Sequence, residues 1–236
     1  MEWKLRAAAI PGAFALALAF HAWPLGHYLQ RTFLTMIVHE VGHATTAWWC
    51  GYSAIPGLWK TLVPETRGLV WLAVAGFEAG LVAYGWRANR LAFAFVGLGL
   101  GAVQFVATEA DPATAHAWIT FGGDGGAMVL GTLLVACFFV PKLRDHGLRW
   151  GLLAIGAAAF VDTFATWWTA RHDITAIPFG EIEGVGLSDP SKLDELYHWP
   201  TAVIVGRYVA LGVACLVALA ALSAWQVWRA RRDASG

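Results

Sequence analysis

Charge is what this chain has least of. Only 14% of its 236 residues are Asp, Glu, Lys or Arg, against about 25% in ordinary soluble domains. A water-soluble fold of this length has too few charges here to cover its apolar core, whereas a bilayer solvates apolar side chains directly. The 16 basic and 16 acidic residues cancel, so the sequence offers no electrostatic footprint for nucleic acid. Cysteine is scarce too. Cys50, Cys137 and Cys215 lie far apart in apolar stretches without a CxxC pair, which argues against a disulfide framework. They read as small buried hydrophobes. Internal repeats and low-complexity tracts are also missing, so residues 1–236 read as a single domain.

What fills the sequence is apolar: 58% of it is hydrophobic, with mean hydropathy +0.56 and 14 Trp. Indole rings favour the membrane interface. A helix crossing the hydrocarbon needs about 20 mostly apolar residues, and seven segments approach that length: 7–23, 33–49, 69–86, 91–107, 118–140, 150–168 and 202–228. No small-x-small cleavage site follows the first, so it is expected to remain as a span. The fold expected is all-α, a polytopic transmembrane bundle of six to seven spans. Residues 51–66, with Pro56, Gly57 and Pro64, are too short and broken for a helical span. A surface loop, a short hairpin or a re-entrant segment would each suit them. The longest polar connection, 171–199, holds Asp173, Glu181, Glu183, Asp189, Asp194 and Glu195 against Arg171 and Lys192.

Orientation follows from Lys and Arg near the span ends. Arg87 with Arg90, then Lys142, Arg144 and Arg149, then Arg229, Arg231 and Arg232 share one side if the spans alternate from the third onward. That side is expected to be cytoplasmic. Seven full crossings would put Lys4 and Arg6 on the opposite side, against the rule, unless one early segment fails to cross.

The second segment carries His39-Glu40-Val41-Gly42-His43. Positions i and i+4 of a helix share a face one turn apart, so two imidazoles there can reach one zinc ion. Glu40 then stands where a carboxylate can take a proton from an activated water. A Glu between two His in an apolar helix is costly, and intramembrane ionisable residues are functional candidates by default. A catalytic zinc usually takes three protein ligands. Asp124, within Phe121-Gly122-Gly123-Asp124-Gly125-Gly126, is the first choice for the third, because flanking glycines permit a turn and close backbone approach. Glu78, within Ala75-Gly76-Phe77-Glu78-Ala79-Gly80, competes with it, as does His116. Asp162 and Arg207, both in expected spans, read as a mutual pair, since buried charges need partners. His21, His27, His146, His172 and His198 read as interfacial or surface residues.

His39-Glu40-Val41-Gly42-His43-Ala44 in a membrane helix resembles the first motif of the site-2 protease family of intramembrane zinc metallopeptidases. Gly123-Asp124-Gly125-Gly126 resembles that family's later Leu-Asp-Gly motif, with Gly in place of Leu; the family's upstream Asn-Pro element is missing. The HExGHA start, the stretch at 75–80, and Ser188-Asp189-Pro190 through Trp199-Pro200 are similar to the compact bacterial peptidase-like branch. The resemblance implies a multi-pass protein of the bacterial inner (plasma) membrane. It implies zinc held by His39, His43 and Asp124, with Glu40 as the base, and a membrane protein or peptide as substrate. Two other readings compete with peptide-bond hydrolysis: a zinc-dependent hydrolase of a lipid amide or ester, and a non-enzymatic transporter or structural protein using Asp162, Arg207 and Glu78 as a charge relay.

Overall fold

The computed structural model describes residues 2–143, 147–182 and 186–235; Arg144, His146 and Glu183 lie outside them. The helices are α1 (Glu2–Ala22), α2 (Pro24–Gln30), α3 (Met36–Trp49), α4 (Val70–Arg87), α5 (Leu91–Glu109), α6 (Pro112–Ala136), α7 (Leu148–Thr169), the single turn α8 (Asp189–Ser191) and α9 (Thr201–Ser235). Two π-helical turns, Arg31–Thr35 and Lys192–Leu196, join α2 to α3 and follow α8. The all-α expectation holds: among the described residues, strands are confined to two hairpins of two-residue strands. In the first, β1 (Ile55–Pro56) pairs antiparallel with β2 (Thr61–Leu62). In the second, β3 (Glu181–Ile182) pairs with β4 (Gly186–Leu187). Residues 51–66 thus contain a hairpin, closed by Gly57 N–H donating to the Lys60 carbonyl at 3.0 Å.

Among the described residues, five helical stretches are long and apolar enough to cross a membrane: Trp3–Ala22, Leu91–Glu109, Pro112–Phe139, Leu148–Thr169 and Thr201–Asp233. The expected spans 33–49 and 69–86 are helical but do not join them. With α2 and the π-helical turn, α3 belongs to a helix that is unbroken from Pro24 to Trp49 and long enough to cross, but His39, Glu40 and His43 lower its hydropathy. The 18 residues of α4 are long enough, but Glu78 and Arg87 lower their hydropathy.

Helices α3, α6, α7 and α9 form the centre. Helix α1 lies along α7 and α9, and the α4–α5 hairpin packs beside α3. Asp111 caps α6 by accepting from Thr114 N–H at 3.0 Å, and Pro112 follows in the first turn, where its fixed φ suits a helix start. The N-terminal basic residues sit with the C-terminal ones: Arg6 Nη1 donates to Gln226 Oε1 at 3.2 Å, and the Arg231 guanidinium lies 4.5 Å from the Trp3 ring centre. Both chain ends therefore share one end of the bundle, which removes the conflict that seven crossings would create for Lys4 and Arg6.

Of the turn and the close backbone approach expected of the glycine-rich segment 121–126, only the close approach is found. The segment makes no turn: α6 runs straight through it, with Asp124 at mid-helix. The glycines serve contact instead. A Cβ on Gly42 would overlap the Gly122 carbonyl and stand 2.9 Å from Gly123 O and Gly126 Cα. Gly122 and Gly126, four apart, are the small-xxx-small pattern that lets two membrane helices approach backbone to backbone.

Candidate metal centre

That close approach sets the His39–His43 face of α3 against α6. A Cβ on Gly123 would fall 2.5 Å from His43 Nε2 and 2.6 Å from His39 Cε1, so the imidazoles occupy the space this glycine leaves. Each ring is held from behind. His43 Nδ1 lies 2.7 Å from the Ile119 carbonyl, and His39 Nδ1 lies 2.9 Å from Asp124 Oδ1. A carbonyl and a carboxylate can only accept, so both Nδ1 atoms carry a hydrogen, and the Nε2 atoms are the ones turned into the site.

Those two Nε2 atoms lie 3.0 Å apart. Asp189 Oδ2 faces both, 3.2 Å from His39 Nε2 and 2.9 Å from His43 Nε2. Three potential ligand atoms thus converge, close enough to one another to share one cation. The separations are close to the edge of a tetrahedron around a zinc ion, about 3.3 Å for bonds of roughly 2.0–2.1 Å, and two imidazoles with one carboxylate suit zinc. Burial pushes the Asp189 carboxyl pKa up, but the facing imidazoles outweigh it and hold Asp189 well below the usual carboxylate range. It stands ready as an anionic ligand.

Asp124 reaches the site but not the converging atoms. It occupies the far nitrogen of His39, and its other oxygen accepts from Trp167 Nε1 at 2.7 Å. Trp167 stacks on Tyr208 at 4.2 Å, which stacks on Phe121 at 4.2 Å, so a buried aromatic wall fixes Asp124. The carboxylate facing the Nε2 pair is Asp189, not the Asp124 expected from sequence. The physical reason is helix geometry: Asp124 projects from α6 beside the Nδ1 edge of His39, whereas the segment after α7 brings Asp189 to the Nε2 edge. The other candidates lie elsewhere. Glu78 is buried and accepts from Trp49 Nε1 at 3.0 Å, and His116 packs on Tyr52 with ring centres 4.8 Å apart.

The acidic 171–199 segment therefore supplies a site residue. Ser188 caps the single turn α8 by accepting from Ser191 N–H at 3.4 Å. Ser188 N–H donates to the Gly180 carbonyl at 2.8 Å, and Gly180 N–H to Ser191 Oγ at 2.9 Å. Leu193 is fully buried in the main core, and Lys192 Nζ holds the second oxygen of Asp189 at 3.2 Å. In the sequence, only the likeness of Ser188-Asp189-Pro190 to the compact peptidase-like branch set this residue apart from its acidic neighbours.

Glu40, next to His39, is buried. Its Oε2 lies 2.7 Å and its backbone carbonyl 2.8 Å from Thr61 Oγ1 on β2. One hydroxyl proton serves only one of these acceptors at a time, so the hairpin can hold the Glu40 carboxylate or release it. Thr61 carried no signal in the sequence. Asp162 and Arg207 do not pair. Arg207 lies over the Trp199 ring at 4.1 Å, and Asp162 meets Arg31, His21 and His27.

No family model matches this chain, and neither the curated proteins nor the solved structures yield a match.

Proposed function

We propose that this chain is a membrane-embedded zinc metallopeptidase that hydrolyses a peptide bond in or near a transmembrane segment of its substrate. The observation that carries this reading is the convergence of His39 Nε2, His43 Nε2 and Asp189 Oδ2 within 3.2 Å of one another, on an HExxH helix whose glutamate is buried beside them. His39, His43 and Asp189 would hold the metal. Asp124 acts behind His39: it fixes the ring's tautomer and raises its basicity, as carboxylates behind metal-bound histidines do. Bound zinc supplies Lewis acidity toward a carbonyl and a water molecule. Glu40 takes the proton of the attacking water and passes it to the leaving amine. Thr61 positions Glu40 before substrate enters.

The motif likeness to site-2 proteases belongs to the same proposal, with Asp189 in place of Asp124 as third ligand. So does the setting. Chain ends on one side require an even number of crossings, so α4 would cross as a sixth helix beside the five apolar ones, and Lys4, Arg6 and the C-terminal arginines then face the cytoplasm of a bacterial plasma membrane. A soluble peptidase has no need of five apolar helices around its site, which supports a membrane-embedded peptide as substrate.

The test is Glu40→Gln in detergent-purified full-length protein, assayed with labelled transmembrane peptides and, in parallel, labelled lipid amides and esters. Retained zinc with lost peptide cleavage is expected. Cleavage of peptides by the Gln variant would remove Glu40 from the reaction. Turnover of lipids alone by the wild type would replace the peptidase with a lipid hydrolase.

A further inference from the structure

A second group of two histidines and one aspartate lies apart from the first. His21 at the end of α1, His27 on α2 and Asp162 on α7 bring ligand atoms within 4.8 Å of one another. His21 Nδ1 stands 3.2 Å and His27 Nε2 2.8 Å from the same oxygen, Asp162 Oδ1. Arg31 Nη1 takes the other, Oδ2, at 3.2 Å. The Asp162 side chain is 0% exposed, so its charge must be met within the protein.

A hydrogen-bond reading accounts for two of these contacts and fails at the third. His21 and Arg31 bond to Asp162 with ordinary geometry. His27 Nε2 is buried and makes no hydrogen bond, although it stands 2.8 Å from Oδ1. A donor that close aims its hydrogen at the oxygen; this nitrogen does not. An ion bound jointly by the nitrogen and the oxygen accounts for both the closeness and the misdirection. Arg31, by holding Oδ2, leaves Oδ1 as a single-oxygen ligand. The donor set, two imidazoles and a carboxylate, is one zinc accepts, and its nitrogen-to-carboxylate distances of 3.2 and 2.8 Å are close to the 3.2 and 2.9 Å at Asp189.

We propose that His21, His27 and Asp162 form a second binding site for a divalent transition cation, zinc above all. The cation fastens the α1–α2 corner to α7. The site is structural in character: no further carboxylate joins these ligands among the described residues to act as Glu40 does in the first site. It does not rest on the peptidase reading.

The test is zinc content by elemental analysis of the purified full-length protein, for wild type, His39→Ala, His27→Ala and the double variant. About two zinc ions per chain are expected in the wild type, one in each single variant and none in the double. Zinc unchanged by His27→Ala overturns the second site, whatever His39→Ala does. Zinc lost with His27→Ala but kept in His39→Ala upholds it while overturning the first. Because His27→Ala can disturb folding, His27→Cys supplies the second measurement. Loaded with cobalt(II), it is expected to gain a thiolate-to-cobalt absorption band in the near ultraviolet over the wild type. A variant that elutes as the wild type does on size exclusion and gains no band overturns the proposal.

Discussion

The two His-His-Asp groups share their chemistry and differ in what stands around them. At His39, His43 and Asp189 both imidazoles are anchored from behind, by Asp124 and by the Ile119 carbonyl, and a buried glutamate adjoins the ligands. At His21, His27 and Asp162 nothing among the described residues holds the far nitrogens of the histidines. The extra charge there is a cation, Arg31, on the carboxylate itself. The first group is thus preorganised and has a buried carboxylate next to it in the chain; the second is looser, partly solvated and countered by a positive charge. Ligand identity alone does not make a reactive centre. The residues behind the ligands decide how rigidly they stand and what proton chemistry lies within reach.

The contrast breaks most sharply at the carboxylates. Asp189→Ala should abolish zinc at the first site and cut peptide turnover about a thousandfold or more, since Lewis-acid stabilisation is worth several kcal/mol and about 1.4 kcal/mol is a factor of ten. Asp162→Ala should leave zinc at the first site and alter turnover by no more than about threefold, while lowering thermal stability, because Arg31 loses its partner. Equal losses of turnover in both variants would erase the distinction. Next in size is the anchoring. Asp124→Asn should weaken zinc binding at the first site roughly 10- to 100-fold, the usual effect of losing a carboxylate behind a histidine ligand; metal-buffer titration reads this. By the same reasoning, a graded chelator should strip the second site first, at roughly 10- to 100-fold lower concentration, with peptidase activity intact until the first site empties. Simultaneous release would mean that the rear contacts are irrelevant. The smallest effect belongs to Thr61→Val. Losing one hydrogen bond of about 1 kcal/mol to Glu40 should reduce kcat about fivefold with zinc content unchanged.

How far the sequence reached differs between the groups for the same physical reason. His39, Glu40 and His43 were legible because the helical period itself puts i and i+4 on one face, and α3 keeps that promise. Asp124 was legible as a site residue but not in its place, because a ring has two nitrogens and only the α3–α6 packing decides which one meets the carboxylate. Its glycines permit either a turn or close packing, because a missing Cβ serves both, and only Gly42 against Gly122 and Gly126 decides for close packing. His21 and His27 looked interfacial, and Asp162 looked paired with Arg207. Lone ions on different helices carry no sign of which neighbour they will face until the helices are rotated into contact.

By itself, the sequence determined the medium, the helical class and the HExxH face, since each depends on composition or on spacing within one helix. The tertiary structure alone decided that Asp189, 146 residues beyond His43, completes the first group. It also decided that α1, α2 and α7 assemble the second, and that the chain ends share a side. Those outcomes depend on contacts between elements far apart in the chain. Such contacts are fixed by how whole helices pack, which no local pattern encodes.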